Sequence, residues 1–271
     1  MPHAPDPSPD HPQKPPTIAV IPAAGRAQRM GTLPCSKEVL PVGIDAESRQ
    51  VVTLIDLLIK QLQRAEIDHV SLSVAPHKTD IEPYLLARWP KLQLDSIHLE
   101  SPSALHSVAA AIQVFDHTNV ALGFPDIHLP VHNAFGPLLD MLDNPSEPAD
   151  IVLGLFGTDH PNSADMVAHH EGTNRVKHLA IKQPTISEEY QYFWATAAWT
   201  PTFSAFLVDY VRHQDAAASQ PSNESVHVGH AIIAALKAGL ECRSVLLSED
   251  NALDAGTPAR YQQLLQKLNT P

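Results

Sequence analysis

The chain is poor in several things, and each shortage excludes something. Only two of its 271 residues are cysteines, Cys35 and Cys242. Two cysteines do not make a disulfide framework, so stability must come from a packed core, and a cytoplasmic location is expected. No apolar run reaches the ~18 residues a membrane-spanning helix needs, so no membrane partner is expected. The N-terminus lacks a basic segment followed by an apolar one, so no secretory signal is read there. Positive charge is scarce: 18 Lys and Arg stand against 30 Asp and Glu, a net charge of −12. Nucleic-acid binding needs clustered cations, so no nucleic-acid partner is expected either.

What is present is organised. Seven of the 25 prolines lie in the first 16 residues, where Met1 is the one large apolar side chain. Such a stretch buries too little surface to offset its ordering entropy, so residues 1–16 read as a disordered Pro-rich tail. Residues 17–271 read as a single domain, and with 44% of the chain hydrophobic they suffice for a substantial core. Thr17 to Pro22, His69 to Val74, Asn119 to Phe124 and Ile151 to Phe156 are short, β-branched-rich runs of the kind buried in parallel sheets. Helical spacing is read over Val51–Ala65, over Ser103–Val114 with Ser103 as N-cap, and over His132–Leu142. Further on, Met166–His170 and Arg175–Ile181 read as strands about a turn, and Tyr192–Thr200 as another. Pro201–His213 reads as a helix, Gln214–Glu224 as a polar loop, Val226–Ala238 as a helix, Glu241–Leu247 as a strand and Pro258–Leu268 as a terminal helix. Alternating strands and helices predict a Rossmann-like three-layer α/β/α sandwich with a mostly parallel mixed sheet. Ligands of such sheets sit beyond the carboxyl ends of the strands, which places the loop 23–36 and Asp126 on one rim.

That loop is the sharpest segment: Ile21-Pro-Ala-Ala-Gly-Arg-Ala-Gln-Arg-Met-Gly31, followed by Pro34-Cys-Ser-Lys-Glu-Val-Leu-Pro-Val42. Small residues let backbone N–H groups approach phosphate oxygens. Arg29 can grip a phosphate as a fork, and Lys37 adds a movable point charge. On spacing alone this fits a phosphate-binding loop and a solvated βα loop equally. Asp126-Ile-His128 with His132 suggests a zinc site only superficially, because three or four converging ligands are required. Cys35 reads as a passive loop cysteine.

The segment resembles the signature of the sugar-phosphate nucleotidyltransferases, or nucleoside-diphosphate-sugar pyrophosphorylases, roughly A-A-G-x-G-T-R-M then P-K-x-L-L-P-V. Glucose-1-phosphate uridylyltransferases and thymidylyltransferases are the members it is most like. Further matches follow in order. Ala104-Leu-His-Ser-Val108 resembles G-L-G-H-A-V, Pro125-Asp126-Ile127 resembles the L-P-D-V segment, Arg175 to Pro184 resembles a strand ending in E-K-P, and Leu253-Asp-Ala-Gly-Thr-Pro258 resembles D-x-G-T-P.

The resemblance implies the nucleotide-diphospho-sugar transferase fold. It also implies an enzyme that transfers a nucleoside monophosphate from a nucleoside triphosphate to a sugar 1-phosphate or similar phosphorylated acceptor, releasing pyrophosphate. It implies Mg²⁺ held by Asp126 and Asp254, with Arg29, Lys37 and Asp126 as catalytic residues. The nucleotide would be bound by Ala23, Ala24, Gly25, Arg26, Arg29, Lys37 and His106, and the acceptor by Lys182. A homo-oligomer is compatible with it. Plainer readings of the same residues are a helix or turn cap for Asp126, a cap of the terminal helix for Asp254, and an exposed strand lysine for Lys182. Trp194, Trp199, Tyr190, Tyr192 and Phe193 suit both an acceptor pocket and core packing.

Departures from the signature concentrate on one side. Ala27 stands for its second glycine, Gln28 for Thr or Ser, and Leu105 for a glycine. Met166 stands for the glycine of a Tyr-Gly-Val strand. Ile181 stands for the Glu of E-K-P, a residue that accepts sugar hydroxyls, and Gln183 is inserted before Pro184. The triphosphate and metal half is thus retained and the sugar half rewritten. Two alternatives remain open: a cytidylyltransferase acting on a non-sugar phosphate, and a catalytically inactive nucleotide-sugar binding or regulatory protein.

Overall fold

A computed structural model describes residues 15–115, 117–217 and 226–269. Most of the proposed tail and most of the 214–224 loop lie outside the described residues. The elements run β1 (Thr17–Ala23), β2 (Pro41–Ile44), β3 (Val51–Thr53), α1 (Leu54–Arg64), β4 (His69–Val74), α2 (Ile81–Arg88), β5 (Gln93–His98), α3 (Ala104–Ile112), β6 (Asn119–Gly123) and β7 (Ile127–His128). They continue α4 (Gly136–Leu142), β8 (Ile151–Gly157), β9 (Asp165–His169), β10 (Val176–Ile181), β11 (Tyr192–Trp199), α5 (Pro201–Ala217), α6 (Val228–Lys237), β12 (Cys242–Asn251), β13 (Leu253–Asp254) and α7 (Pro258–Asn269).

Among the described residues nine strands form one sheet. β5, β4, β1 and β6 are parallel neighbours, β12 is parallel to β8, and β11 runs against β6, β8 and β9. β10 closes one corner, antiparallel to β9. The period of two along β1 shows how this sheet is held. Ala19, Ile21 and Ala23 enter one core with Ile55, Leu58, Ile81 and Leu138, while Ile18 and Val20 enter another with Leu105, Phe203 and Val228. Helices α1, α2 and α4 therefore cover one face and α3, α5 and α6 the other. Both faces are buried, as the near-continuous apolar runs require. This is the expected three-layer α/β/α sandwich with a mostly parallel mixed sheet. A third, smaller core joins Met30, Leu40, Val42 and Leu264, tying α7 and the β2–β3 hairpin to the loop after β1.

Several boundaries differ from the sequence reading. Helix α1 begins at Leu54 rather than Val51, because Val51, Val52 and Thr53 extend as β3. Asp56 then accepts a bond from the Thr53 backbone N–H at 2.9 Å, which fixes the start. Helix α4 begins at Gly136 rather than His132, where Asn133 Oδ1 takes the Gly136 N–H at 2.9 Å. Helix α5 runs on to Ala217, through the first part of the segment read as loop. Ser103 caps α3 as expected, its side chain accepting from the His106 N–H.

Candidate active site

The loop after β1 is fixed by buried charge. Lys78 Nζ lies 2.8 and 2.9 Å from the two carboxylate oxygens of Glu38 and donates to the Ala23 carbonyl at 2.8 Å. Both side chains are almost fully buried, at 4% and 3% exposure. This clamp joins the end of β1 to the short 3-10 turn Lys37–Val39 that carries Lys37. A second 3-10 turn, Gln28–Met30, carries Arg29, and Met30 anchors it in the small core. Ala27 introduces that turn in the left-handed region, φ 51° and ψ 29°. The backbone thus keeps a conformation that favours glycine although the residue is alanine.

Opposite this loop, β6 delivers Asp126. Lys37 Nζ donates to Asp126 Oδ2 at 2.6 Å. Burial works against ionising Asp126, but Lys37 and, more weakly, Arg29 outweigh it and hold the carboxyl below the ordinary range. Lys37 shifts the opposite way, upward: burial opposes its charge and Asp126 more than restores it. Asp254 comes to the same place through the two-residue ladder of β13 with β7, which pairs Asp254 with Ile127. The Ala255 N–H donates to the Asp126 carbonyl at 2.7 Å. Asp254 Oδ1 takes the Gly256 N–H at 2.7 Å, and Oδ2 faces Arg260 Nη1 at 3.4 Å. Gly256 leaves room for these side chains, since a Cβ would lie 2.8 Å from Arg29 Nη2 and 2.7 Å from Asp254 Oδ1 and would push them aside.

Two adjoining cavities flank these groups. A loop-side cavity of about 870 Å³ is lined by Gly25, Arg26, Ala27, Arg29, Lys37, Ser103 and Asp126, among others. A strand-side cavity of about 330 Å³ is lined by Asp126, Asp254, Arg260, Asp165, Lys182, Phe193, Trp194 and His227, among others. Arg29, Ala104, Phe124 and Asp126 border both. Residues 157 positions apart in sequence, from Gly25 to Lys182 and beyond, thus meet on the rim expected from the topology.

Not every sequence candidate arrives there. Ala23 and Ala24 are buried beneath the loop, leaving Gly25 as the residue of that trio on the cavity wall. Both ring nitrogens of His106 are engaged, by Ser103 Oγ at 2.7 Å and by Asp215 Oδ1 on α5 at 3.0 Å. The His106 ring therefore links the Ser103 cap of α3 to α5, and it is not part of the cavity lining; Ser103, Ala104 and Ser107 take that place. Asp126, His128 and His132 form no metal-binding cluster among the described residues. Trp199 is core packing, stacked edge-on against Phe203, while Phe193 and Trp194 line the strand-side cavity.

On that side, Lys182 ends β10 with φ 44° and places Nζ 3.3 Å from His227 Nε2. Burial, reinforced by Lys182 and His230, drives His227 down to about 4, so its ring is neutral at neutral pH. Asp165 and Arg260 are the residues the sequence reading passed over. A local signal existed for Asp165: an acidic residue opening an otherwise apolar strand, Asp165-Met-Val167.

No protein-family profile matches the chain, and no curated protein matches it. Solved structures do. A candidate glucose-1-phosphate thymidylyltransferase of Bacillus anthracis is similar with a TM-score of 0.74 at 12% identity, over 94% of this chain and 96% of that one. The UTP-bound UGPase of Acinetobacter baumannii gives 0.72 at 15% identity, over 93% of each chain. The inositol-1-phosphate CTP transferase of T. maritima gives 0.65 at 17% identity, over 93% and 95%. At these identities the likeness is one of fold, and the chain has the nucleotide-diphospho-sugar transferase fold that these sugar-phosphate nucleotidyltransferases share.

Proposed function

We propose that the chain is a nucleotidyltransferase that joins a nucleoside monophosphate to a phosphorylated small acceptor, a sugar 1-phosphate in the first instance, and releases pyrophosphate. The observation that carries this reading is that Arg29 and Asp126 border both cavities, with Lys37 beside them on the loop side and Asp254 on the strand side. One cavity suits the triphosphate and the other the acceptor.

In the reaction an acceptor phosphate oxygen forms a bond to the α-phosphorus of the triphosphate. The bond from that phosphorus to the bridging oxygen breaks, and pyrophosphate leaves with the electron pair. The attacking oxygen is already anionic, so no general base is needed, and catalysis consists of alignment and charge neutralisation. Arg29 and Lys37 face the triphosphate side, and Lys182 holds the acceptor phosphate. The carboxylates of Asp126 and Asp254 are the hard oxygen donors that Mg²⁺ takes, and with no third His, Cys, Asp or Glu beside them among the described residues, its other ligands would be phosphate oxygens and water. When bound there, Mg²⁺ would draw charge from the reacting phosphate oxygens. The cytidylyltransferase reading is favoured by one observation, the likeness to an inositol-1-phosphate CTP transferase.

The test is pyrophosphate release with Mg²⁺, each common nucleoside triphosphate and a panel of sugar, cyclitol and choline phosphates. Release with one pair is expected. Tight nucleotide binding without release from any pair would leave a binding protein in place of an enzyme.

A further inference from the structure

Lys37 opens the 3-10 turn Lys37–Val39, and one short stretch of another loop, Lys78 to Asp80, grips the residues on both sides of it. After it, Glu38 is paired with Lys78. Before it, Ser36 is held by Asp80. The Ser36 N–H donates to Asp80 Oδ2 at 2.7 Å, and the Ser36 hydroxyl donates to Oδ1. Both bonds end on a carboxylate, which makes them stronger than neutral ones. Burial works against ionising Asp80, but the bonds from Ser36 outweigh it and hold the carboxyl below the ordinary range.

This pair replaces two helix caps. Asp80 is the N-cap of α2, and Ser36 is the N-cap of the 3-10 turn. Residues of these types ordinarily accept from an N–H of their own first turn. Neither makes a side-chain cap bond here, and the two side chains bond each other instead. The start of α2 is thereby tied to the start of the turn that carries Lys37. Ile81 and Leu85 of α2 are buried in the core with Ile55 and Leu58, so the tie has a packed anchor. No residue of 75–80 lines either cavity, so this stretch meets neither substrate.

We propose that Asp80 and Ser36 are positioning residues for Lys37, fixing where its Nζ stands between Asp126 and the triphosphate. The inference rests on the reading of Lys37 as part of nucleotidyl transfer. A lysine ammonium sits on a long, flexible stem, so Nζ is only as well placed as the backbone it leaves. The grips on Ser36 and Glu38 fix that backbone on both sides, and the 2.6 Å contact with Asp126 fixes the far end. Loss of the Ser36 grip keeps the charge at the site but misplaces it, and about 1 Å of misplacement costs on the order of 10²-fold in rate. The Glu38–Lys78 pair is almost fully buried, so its removal threatens the fold. The Asp80–Ser36 pair is only part-buried, so its removal can be read at the site.

The experiment compares the full chain with Asp80→Ala, Ser36→Ala, Ser36→Thr, Lys37→Met and the double variant Asp80→Ala with Lys37→Met, each checked by thermal unfolding. Pyrophosphate release is measured with UTP, CTP or dTTP and glucose 1-phosphate or inositol 1-phosphate, and nucleotide affinity by calorimetry. Asp80→Ala should lower kcat roughly 10- to 100-fold, while nucleotide Kd changes less than about 3-fold. Ser36→Ala keeps the backbone bond and should lower kcat roughly 3- to 10-fold. Ser36→Thr keeps the hydroxyl and should hold kcat within about 2-fold of the parent. The decisive readout is coupling. In the Lys37→Met chain, Asp80→Ala should cost less than about 2-fold more, which a merely structural role would not produce. A kcat within about 2-fold of the parent in both folded alanine variants, or an Asp80→Ala loss undiminished in the Lys37→Met chain, would overturn the proposal and leave nucleotidyl transfer standing. If no pair releases pyrophosphate, transfer falls, and the acylation rate of Lys37 by N-hydroxysuccinimide acetate, read by mass spectrometry, decides the positioning. A rate raised about 3-fold or more in both alanine variants, with exposed Lys91 unchanged, would support it, and equal rates would overturn it.

Discussion

The two sides of the site handle their charges in opposite ways. On the loop side each buried charge has a partner: Lys37 with Asp126, Lys78 with Glu38. On the strand side the Asp165 carboxylate oxygen and the Trp194 N–H have none among the described residues. A triphosphate always brings the same charges, so the groups that meet it can be held in place beforehand by ion pairs. The loop side thus holds its charges in ion pairs, while the strand side leaves two polar atoms unmet at a cost in stability.

The largest effect expected from breaking this contrast is at Asp126. Asp126→Asn should lower turnover roughly 10³-fold in a pyrophosphate-release assay, since it removes charge at the reacting phosphates. It should also destabilise, because Lys37 would keep its charge without a counter-ion. Their side chains are 14% and 18% exposed, so the loss should be about 2 kcal/mol, short of the ~3–5 of a fully buried pair. Turnover within a few-fold of the parent would remove Asp126 from the reaction.

Next in size is Lys78→Met. It leaves Glu38 charged, buried and unpaired and releases the Ala23 carbonyl, so a loss of about 3–5 kcal/mol is expected by urea denaturation. Nucleotide affinity should fall with it, because Lys37 rides on the same turn. The double variant Lys78→Met with Glu38→Leu should recover most of the stability. If it does not, the clamp is not an ion-pair effect.

The sign of pH dependence separates the two carboxylates more finely. Asp126 is depressed, with burial outweighed by Lys37, so its stabilisation is present above the ordinary carboxylate pKa and is lost as pH falls below it. Asp165 is raised by burial, so the folded state holds its proton more tightly than the unfolded chain. Stability then declines as pH rises through the interval above the ordinary carboxylate value. Asp165→Asn should remove that decline and raise the unfolding midpoint at neutral pH. Asp126→Asn should instead erase part of the acid-side loss. Parallel pH profiles for the two variants would contradict the contrast.

How much of this was legible in the sequence depends on where each residue's reason lies. β1, β6 and β8 were readable because burial on both faces writes itself as a near-continuous apolar run, and β4 because Val70, Leu72 and Val74 alternate with small serines. The edge strand Gln93–His98 and the short helix Ile81–Arg88 were not read at all. The first is largely exposed and breaks the alternation, with only Leu94 and Ile97 apolar, and the second carries Pro83 and little amphipathic pattern. Arg29, Lys37, Asp126 and Asp254 were legible because local motifs fix their elements. Asp165 was hidden because its meaning comes from Ile181 and Trp194, neighbours across two ladders. Asp165 lies directly across the ladder from Ile181, a neighbour relation that no one-dimensional pattern reveals. His106 misled for the reverse reason: its motif is local, but its ring is taken by Asp215 on a distant helix.

The smallest effect tests whether the loop side is as rigid as its ion pairs suggest. Ala27 stands at φ 51°, where a Cβ costs about 1 kcal/mol relative to glycine. Replacing it with glycine relieves that strain but loosens the unfolded chain, which offsets about half of the gain. Ala27→Gly should therefore stabilise by only about 0.5 kcal/mol in urea melts. The backbone already holds the glycine-like conformation, and the clamp at Lys78 and the anchor at Met30 act on either side of it. Nucleotide affinity and turnover should accordingly change less than about 2-fold. A gain in affinity of 10-fold or more would mean that the Ala27 methyl itself narrows the loop-side cavity. The loop side would then be a place where selectivity, and not only charge, is set.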